Sequence, residues 1–422
     1  MSTYIPEEMI VQIFSRLPPK SLLRFRCLSK SWNSLISSPE FIWQHTQQSI
    51  LQKPSSGAII RYFSTTQRKE KYLILLRDES ADADTVITLG SPFNGRVQYY
   101  CRIVGICNGV LCLSDDLFGH ENLLVLWNPR INRCLTIPNP PLCCNNLGTY
   151  MFVFGFGFAI KTRDYKVVKM VYARGNGEYL VPPKVEVYAL GSGIWKEFDG
   201  FIPDFGVIEY SWTQAIVCGK VHWAAYKRTR ERKVENLIIV FDLNEEIFQE
   251  LSLPEILVNE LPTNLNAAEC RESLAVYQYD TRDWSSRCSI WVMKRYGDTE
   301  SWRKEYNVVL GNRHMGMVLG FHNDSSILFT DTTGTLTAYN PETHNRERHG
   351  ILGTRYSFYF DSYKESLVLL DKGELLSPFD VAYEETTDDD EDAEKMAPRR
   401  RERWMHYDMH QYLTAFLGDR NI

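Results

Sequence analysis

The sequence lacks the features of a membrane-spanning, secreted or nucleic-acid-binding protein. It contains no run of about 18 apolar residues that could span a bilayer, and the N-terminal residues show no charged-then-apolar signal pattern. The formal net charge of −6 is close to balance, whereas binding to nucleic-acid phosphates needs a basic face. We therefore expect an intracellular protein, cytoplasmic or nuclear, that binds neither membrane nor nucleic acid.

Paired cysteines are also missing. The ten cysteines are scattered without a C-x-x-C pair, and most of them lie inside apolar runs. Such a distribution predicts buried thiols in a reducing compartment rather than a disulfide framework.

Motifs for catalysis are equally scarce. No Gly-x-Ser-x-Gly turn occurs, and Cys143 and Cys144 have no basic neighbour that would lower a thiol pKa. His406 and His410 have the spacing of a zinc helix but lack its glutamate, and His222 lies in an apolar run typical of a buried structural histidine. The sequence predicts no metal site, no cofactor and no catalysis by this chain alone.

What the sequence does contain begins with residues 5–41, where apolar spacing predicts three short helices. Pro6 suits a helix start, and Pro18 forces the first helix to end at Leu17. Ser29 is placed to cap the third helix, which carries Trp32. A domain of roughly 40 residues cannot bury so many apolar side chains by itself, so we expect a partner protein to cover part of them.

These residues resemble an F-box. The resemblance rests on Ile-Pro-Glu-Glu-Met, Ile-Phe-Ser-Arg-Leu-Pro, Lys-Ser-Leu-Leu-Arg-Phe-Arg-Cys and Ser-Lys-Ser-Trp, read in order along residues 5–32. It implies binding to a Skp-type adaptor and, through it, to a cullin and a RING protein. The alternative is an ordinary helical start to a larger core. By resemblance, the adaptor-binding positions are Pro6, Ile10, Ile13, Leu17, Pro18, Leu22 and Leu23, and the F-box core positions are Trp32 and Leu35.

After one further helix predicted over residues 39–50, the sequence changes to short β-branched and aromatic runs separated by turn residues, from Ile59 to about Leu370. Aromatic strand ends recur at intervals of 48 to 61 residues, close to the period of kelch-like propellers. We predict a mainly antiparallel β-propeller of about six blades, with residues 367–370 as its closing strand. The recurring aromatic residues are Trp127, Tyr188, Phe241, Trp291 and Tyr339.

True kelch blades usually carry a Gly-Gly pair, which this sequence lacks. The β region instead resembles the F-box-associated region of a large plant family that includes the S-locus F-box proteins of pollen. The resemblance rests on Gly105-Ile-Cys-Asn-Gly, Leu126-Trp-Asn-Pro-Arg, Gly219-Lys-Val-His-Trp and Tyr363-Lys-Glu-Ser-Leu, among others. It implies that the propeller recognises a protein substrate, and nothing in the sequence separates S-locus proteins from their relatives.

We therefore predict an α+β multidomain protein that acts as the substrate-recognition subunit of an SCF-type E3 ubiquitin ligase and is not itself an enzyme. The rival hypothesis is a stand-alone propeller enzyme or ligand-binding module with a helical cap. The expected parts are an F-box domain (1–45), a helical linker (46–58), the propeller (59–375), a charged disordered segment (376–403) and a short amphipathic helix (404–422).

One loop of the propeller is strongly basic. Residues 227–233 join two predicted strands, and five cations in seven residues could steer an acidic partner. The ordinary alternative is a solvated polar loop. Loops at 139–149 and 173–183 are further places for substrate contacts. The cations of the basic loop are Lys227, Arg228, Arg230, Arg232 and Lys233.

Overall fold

In the computed structural model, the protein is described over most of its first 375 residues. The described ranges are 6–51, 57–76, 85–92, 101–115, 123–140, 150–175, 178–208, 214–231, 233–280, 285–312, 316–322, 326–331, 333–354 and 357–375. Within these ranges, no helix has the length and apolar character needed to cross a membrane. The segments predicted at 376–403 and 404–422, including His406 and His410, lie outside the described residues, as do Cys143 and Cys144.

Four helices open the chain, as the apolar spacing predicts. The Ser29 hydroxyl accepts a hydrogen bond from the Trp32 backbone N–H at 3.1 Å, which confirms the predicted cap. The first helix ends at Phe14 rather than at Leu17, because the chain tightens into a turn, with Leu17 N–H donating to the Phe14 carbonyl at 3.0 Å. The helices are α1 (Glu7–Phe14), α2 (Pro19–Arg26), α3 (Lys30–Ile36) and α4 (Pro39–Leu51).

Helix α4 has the extent predicted for residues 39–50, with one residue more. It passes without a break through the predicted boundary between residues 45 and 46. Within the expected helical linker 46–58, residues 46–51 belong to this helix, residues 57 and 58 belong to the first strand, and residues 52–56 lie outside the described residues.

The rest of the described chain forms six antiparallel sheets of four or five strands, which are the blades of a propeller. Blade 1 contains β1 (Gly57–Ser64), β2 (Lys69–Leu76) and β3 (Thr85–Leu89). Blade 2 contains β4 (Arg102–Cys107), β5 (Val110–Ser114), β6 (Leu124–Asn128) and β7 (Arg133–Ile137). Blade 3 contains β8 (Tyr150–Ala159), β9 (Asp164–Gly175), β10 (Glu178–Tyr179), β11 (Lys184–Ala189) and β12 (Ile194–Glu197).

The second half of the propeller repeats this pattern. Blade 4 contains β13 (Gly206–Val207), β14 (Ala215–Val217), β15 (Lys220–Arg228), β16 (Val234–Asp242) and β17 (Ile247–Ser252), followed by the short helix α5 (Glu255–Val258). Blade 5 contains β18 (Leu265–Cys270), β19 (Ser273–Asp280), β20 (Ser285–Met293) and β21 (Trp302–Asn312). Blade 6 contains β22 (Met317–Phe321), β23 (Ile327–Thr330), β24 (Thr335–Tyr339) and β25 (Arg346–Leu352), and the last strands are β26 (Tyr359–Tyr363) and β27 (Glu374–Leu375).

The propeller closes by pairing the two ends of the β region. Strand β26 lies against β1 in antiparallel register, from Gly57 opposite Tyr363 to Arg61 opposite Tyr359. It thus completes blade 1 from the inside, and it contacts β22 on one side and β4 on the other. The prediction of about six blades is confirmed, because the described strands form six sheets in a closed ring.

The predicted closing strand at residues 367–370 was wrong. These four residues form a turn just after the true closing strand β26. Their side chains are at most 6% exposed and lie in the apolar core beneath the N-terminal helices. The run is apolar because it fills that core, and not because it forms a strand of a blade.

The apolar cores lie between neighbouring blades. One cluster of buried side chains fills each of the six junctions around the ring, and the cluster between blades 2 and 3 continues into the N-terminal helices. Sheets that stack face to face in this way bury both of their faces, which accounts for the strongly apolar β strands.

Two tryptophans make the same kind of hydrogen bond between consecutive blades. On the outer strand of blade 3, Trp195 donates its indole N–H to the carbonyl of Pro138 at the end of blade 2, at 2.7 Å. On the outer strand of blade 5, Trp302 donates to the carbonyl of Ser252 at the end of blade 4, at 3.1 Å. Each bond joins the outer strand of one blade to a backbone carbonyl at the end of the preceding blade.

We expect Trp302→Phe to reduce the free energy of unfolding by about 1–2 kcal/mol more than Trp127→Phe, because only the first substitution removes a hydrogen bond. Trp127 is the matched control, since it is equally buried but its indole N–H has no partner among the described residues. The measurement is urea unfolding followed by circular dichroism. Equal losses in the two variants would show that Trp302 stabilises the fold only through the packing of its ring and not through its hydrogen bond.

His222 is a buried structural histidine, as the sequence predicts. Its side chain is 0% exposed in blade 4, and its ring nitrogens lie 3.2 Å from the Ala215 carbonyl oxygen and 2.8 Å from the Tyr296 hydroxyl. A carbonyl can only accept, so Nδ1 carries the proton and Nε2 accepts from Tyr296. Burial lowers the pKa of His222 to about 4.

The depressed pKa of His222 predicts a loss of stability in mild acid. Between pH 6.5 and 4 the unfolded chain binds a proton at this histidine and the folded chain does not, so the stability falls as the pH falls. From pH 7 to pH 5 this contribution is about 2 kcal/mol. In His222→Gln the unfolding free energy should fall less over the same interval, measured by urea unfolding at each pH. An unchanged pH profile in the variant would contradict the assignment.

Candidate functional site

The first helix presents an apolar stripe to solvent. Met9 is 54% exposed and Ile13 is 51% exposed, and Pro6 at the helix start is also exposed. Residues four apart lie on one side of a helix, so these side chains form one surface. Large apolar side chains grouped in this way are characteristic of an interface with another protein.

The predicted adaptor-binding positions differ in exposure. Pro6, Ile13 and Pro18 are exposed, while Ile10, Leu17 and Leu23 are partly buried and pack against the core. Leu22 is 0% exposed and shapes the surface from beneath. Met9 was missed by the sequence reasoning, although its spacing from Ile13 gave the signal.

The three small helices are held together by an aromatic cluster. The rings of Phe14 and Phe25 stack with centroids 5.2 Å apart, and Trp32 meets both of them edge-on at 5.3 and 5.7 Å. Trp32 and Leu35, the predicted F-box core positions, are partly buried against the same core. One aromatic side chain from each helix therefore fixes the relative position of all three.

The helices also pack against the propeller. Phe14, Leu22 and Ile36 belong to the same buried cluster as the side chains between blades 2 and 3. In helix α4, the Trp43 ring stacks on Phe158 of blade 3 with centroids 5.5 Å apart. The exposed apolar stripe therefore has a defined orientation with respect to the blades.

An arginine extends this contact at the rim of blade 3. Arg163, in the turn between β8 and β9, lies over the Trp43 ring at 5.1 Å from its centroid and pairs with Glu40 at 3.8 Å. Trp43 is therefore enclosed between an aromatic ring of the propeller and a cation. The ion pair between Arg163 and Glu40 is exposed and contributes little to the stability of the fold by itself.

The segment after the closing strand links the helices to blade 2. Asn128 is fully buried, and its side-chain amide donates to the carbonyls of Ser366 and Val368 at 3.0 and 2.9 Å. Ser49 of α4 donates to the Glu365 carbonyl at 3.2 Å. Leu369 takes a positive φ of 75°, which is costly for a branched residue and persists only where the surroundings determine it.

The basic loop lies on the face of the propeller opposite to the helices. Each blade repeats the same antiparallel order, so β9 and β15 both run from the face that carries Arg163 toward the other face. The predicted connection is confirmed as the hairpin between β15 and β16. The N-terminal helices and this hairpin therefore lie on opposite faces of the propeller.

The hairpin tip is closed by two hydrogen bonds between Thr229 and Lys233, at 2.9 and 3.2 Å. Lys227 pairs with Glu250, and Arg228, Arg230 and Lys233 are exposed, close in sequence to exposed Glu231 and Glu235. Arg232 lies outside the described residues. The cations are thus partly offset by neighbouring carboxylates.

The inner strands bring together two carboxyl groups that the sequence reasoning missed. Glu269 lies on β18 and Asp361 on β26. Asp361 is half-buried, and its desolvation by the surrounding protein raises its pKa to about 6. The Glu269 side chain remains exposed, and partial desolvation together with the Asp361 charge raises its pKa above its ordinary value. Burial also raises the pKa of the nearby Cys107 thiol, which disfavours the reactive thiolate. Within the described ranges, no set of three or more potential metal ligands occurs.

Comparison with known families matches both parts of the chain. Residues 4–44 match the F-box domain, and residues 63–370 match the F-box associated beta propeller domain. The second match alone spans well over half of the chain.

Several proteins of Arabidopsis thaliana are similar to this chain over most of its length. The chain is 30% identical to F-box protein At3g07870 over 328 residues, which cover 72% of each chain. It is 26% identical to F-box/kelch-repeat protein At3g23880 over 302 residues, 71% of this chain and 78% of the relative. It is 25% identical to F-box protein CPR1 over 392 residues, 88% of this chain and 90% of the relative. The chain therefore belongs to the family of F-box proteins that carry an F-box associated beta propeller domain.

Proposed function

We propose that this protein is a substrate-recognition subunit of an SCF-type E3 ubiquitin ligase. Its N-terminal helices bind a Skp-type adaptor, and through it a cullin and a RING protein, while the propeller binds a protein target. The observation that carries the proposal is the exposed apolar stripe of Met9 and Ile13 on a helix whose opposite side is fixed to the propeller. The S-locus proteins of pollen are one branch of this family, and the proposal does not depend on that branch.

In this proposal the chain contributes to ubiquitin transfer by positioning the target. The adaptor surface and the far face of the propeller belong to one packed body, because the helices share a core with blades 2 and 3. A target bound to the propeller is then held at a defined distance and orientation from the ubiquitin-carrying enzyme. Such positioning converts a bimolecular encounter into an effectively unimolecular step. In this proposal the chain supplies no nucleophile, and ubiquitin arrives from another subunit.

The basic hairpin has a limited part in this proposal. Its exposed cations Arg228, Arg230 and Lys233 project from the face away from the adaptor. Because carboxylates of the same hairpin offset them, we assign the hairpin to the first electrostatic encounter with an acidic region of the target. Such a contribution acts on the association rate and weakens as salt increases.

The adaptor interface is tested by Ile13→Ala combined with Leu17→Ala. We expect the affinity for a purified Skp-type adaptor to fall at least about 30-fold, since central apolar anchors contribute about 2 kcal/mol or more. The measurement is isothermal titration calorimetry at fixed salt. The matched control is Ile194→Ala with Ile247→Ala, which removes two exposed isoleucines from outer blade strands.

The control should bind the adaptor with the affinity of the unmodified protein. If the helix variant keeps full affinity while its circular dichroism is unchanged, the stripe is not the adaptor surface. If both variants lose affinity equally, the contact is a general apolar one, and the F-box assignment of these residues fails.

A further inference from the structure

Five of the six blades protect their outer edge in a recognisable way. In blades 3 to 6 the outer strand carries exposed charged side chains, and in blade 2 it is partly paired with the additional strand β27. Charges and covering strands are the usual means by which proteins prevent an edge from pairing with another chain. The exposed charges are Lys196 and Glu197 in β12, Glu250 in β17, Arg303, Lys304 and Glu305 in β21, and Arg346, Glu347 and Arg348 in β25.

The outer strand of blade 1 is different. Strand β3 has the sequence Thr-Val-Ile-Thr-Leu, without a charge and mostly β-branched. It pairs with β2 along its whole length, and no strand among the described residues pairs with its other side. Along that side, no described strand pairs with the backbone N–H and C=O groups of these residues, which have a high preference for strands.

The side chains of β3 alternate between two environments. Val86 is 56% exposed and Thr88 is also exposed. Ile87 and Leu89 point the other way and are only partly covered by the apolar core between blades 1 and 2. A further strand laid along β3 would complete that cover with its own alternate side chains.

The molecule already uses this kind of contact once. Residues Glu374 and Leu375 of β27 come from the far end of the β region and pair antiparallel with Cys134 and Arg133 on the outer edge of blade 2. The outer edge of a blade in this propeller therefore accepts a fifth strand without disturbing the other four. In blade 2 that strand is part of the same chain.

We propose that the β3 edge binds an extended segment of the protein target, which adds to blade 1 as a fifth strand. The segment that fits is uncharged over about five residues, with apolar or β-branched side chains at alternate positions to meet Ile87 and Leu89. Backbone hydrogen bonds supply the affinity, and the alternate side chains supply the selectivity. The identification of the occupant as a target rests on the proposed function.

A second copy of this chain fits the edge less well than a target segment does. Two β3 strands paired with each other would meet along only about 17 Å, and a contact of that length buries much less than the roughly 1,200 Å² or more of a stable dimer interface. A target segment needs only a transient contact, because the ligase holds its other partners separately. The area available thus favours a short peptide segment over dimer formation.

The test uses the full-length protein co-purified with its adaptor. The probe is a fluorescein-labelled peptide of alternating threonine and valine with a lysine at each end, and the comparison peptide has proline in place of the central valine. We expect saturable binding of the first peptide by fluorescence anisotropy, and at least about tenfold weaker binding of the second. In the same sample, hydrogen exchange of the backbone amides in residues 85–89 should slow when the first peptide is added.

The blocking variant is Val86→Lys with Thr88→Lys, which places the usual protective charges at the two exposed positions of β3. It should weaken peptide binding at least about tenfold. The control, Ile194→Lys with Ile247→Lys, changes two similarly exposed positions on other outer strands and should leave binding unchanged.

Three results would overturn the proposal: no saturable binding, equal binding to the blocking variant, or peptide binding without protection of residues 85–89. The protection measurement needs no variant, so it decides the matter even if the blocking variant misfolds. A dimer seen by light scattering that the blocking variant abolishes would assign the edge to a second copy instead. Loss of adaptor co-purification would contradict the proposed function, while the peptide result would still report on β3.

Discussion

The packing of the N-terminal helices on blades 2 and 3 is the contact on which the other features of this protein depend. Phe14, Leu22 and Ile36 contribute to it from the helices, and the turn at residues 367–370 contributes from the end of the β region. Without this shared core, the exposed stripe on α1 would have no fixed relation to the blades. With it, the exposed stripe and the blades belong to one packed body, and the fold sets the distance between them.

The segment that closes the propeller ring also takes part in the packing of the helices. The chain leaves α4 and enters β1, and the strand that pairs with β1 from the inside is β26, about 300 residues later in the chain. The residues that follow β26 are held by the buried Asn128 amide and fill the space beneath the helices. Ring closure and docking of the helices therefore share one segment. The strained Leu369 lies within it, which is consistent with a conformation determined by its surroundings.

The propeller itself is stabilised by contacts at its blade junctions rather than by one central core. Each blade junction has its own apolar cluster, and Trp195 and Trp302 add the same indole-to-carbonyl bond at two of the junctions. Repeated units can vary their loops while the junctions stay intact. This arrangement allows one edge, that of blade 1, to stay uncharged without cost to the other blades.

Elements with local signals could be predicted from the sequence alone. Pro6, Ser29 and the apolar spacing predict the helices, because caps and periodicity act within a few residues. The recurring aromatic strand ends predict about six blades, and the F-box motif predicts where an adaptor surface lies. Three features became visible only in the folded chain: which strand closes the ring, that Leu22 lies beneath the surface while Met9 lies on it, and that Asp361 lies close enough to Glu269 to affect its pKa. These depend on contacts between residues far apart in the chain, and no short stretch of sequence records them.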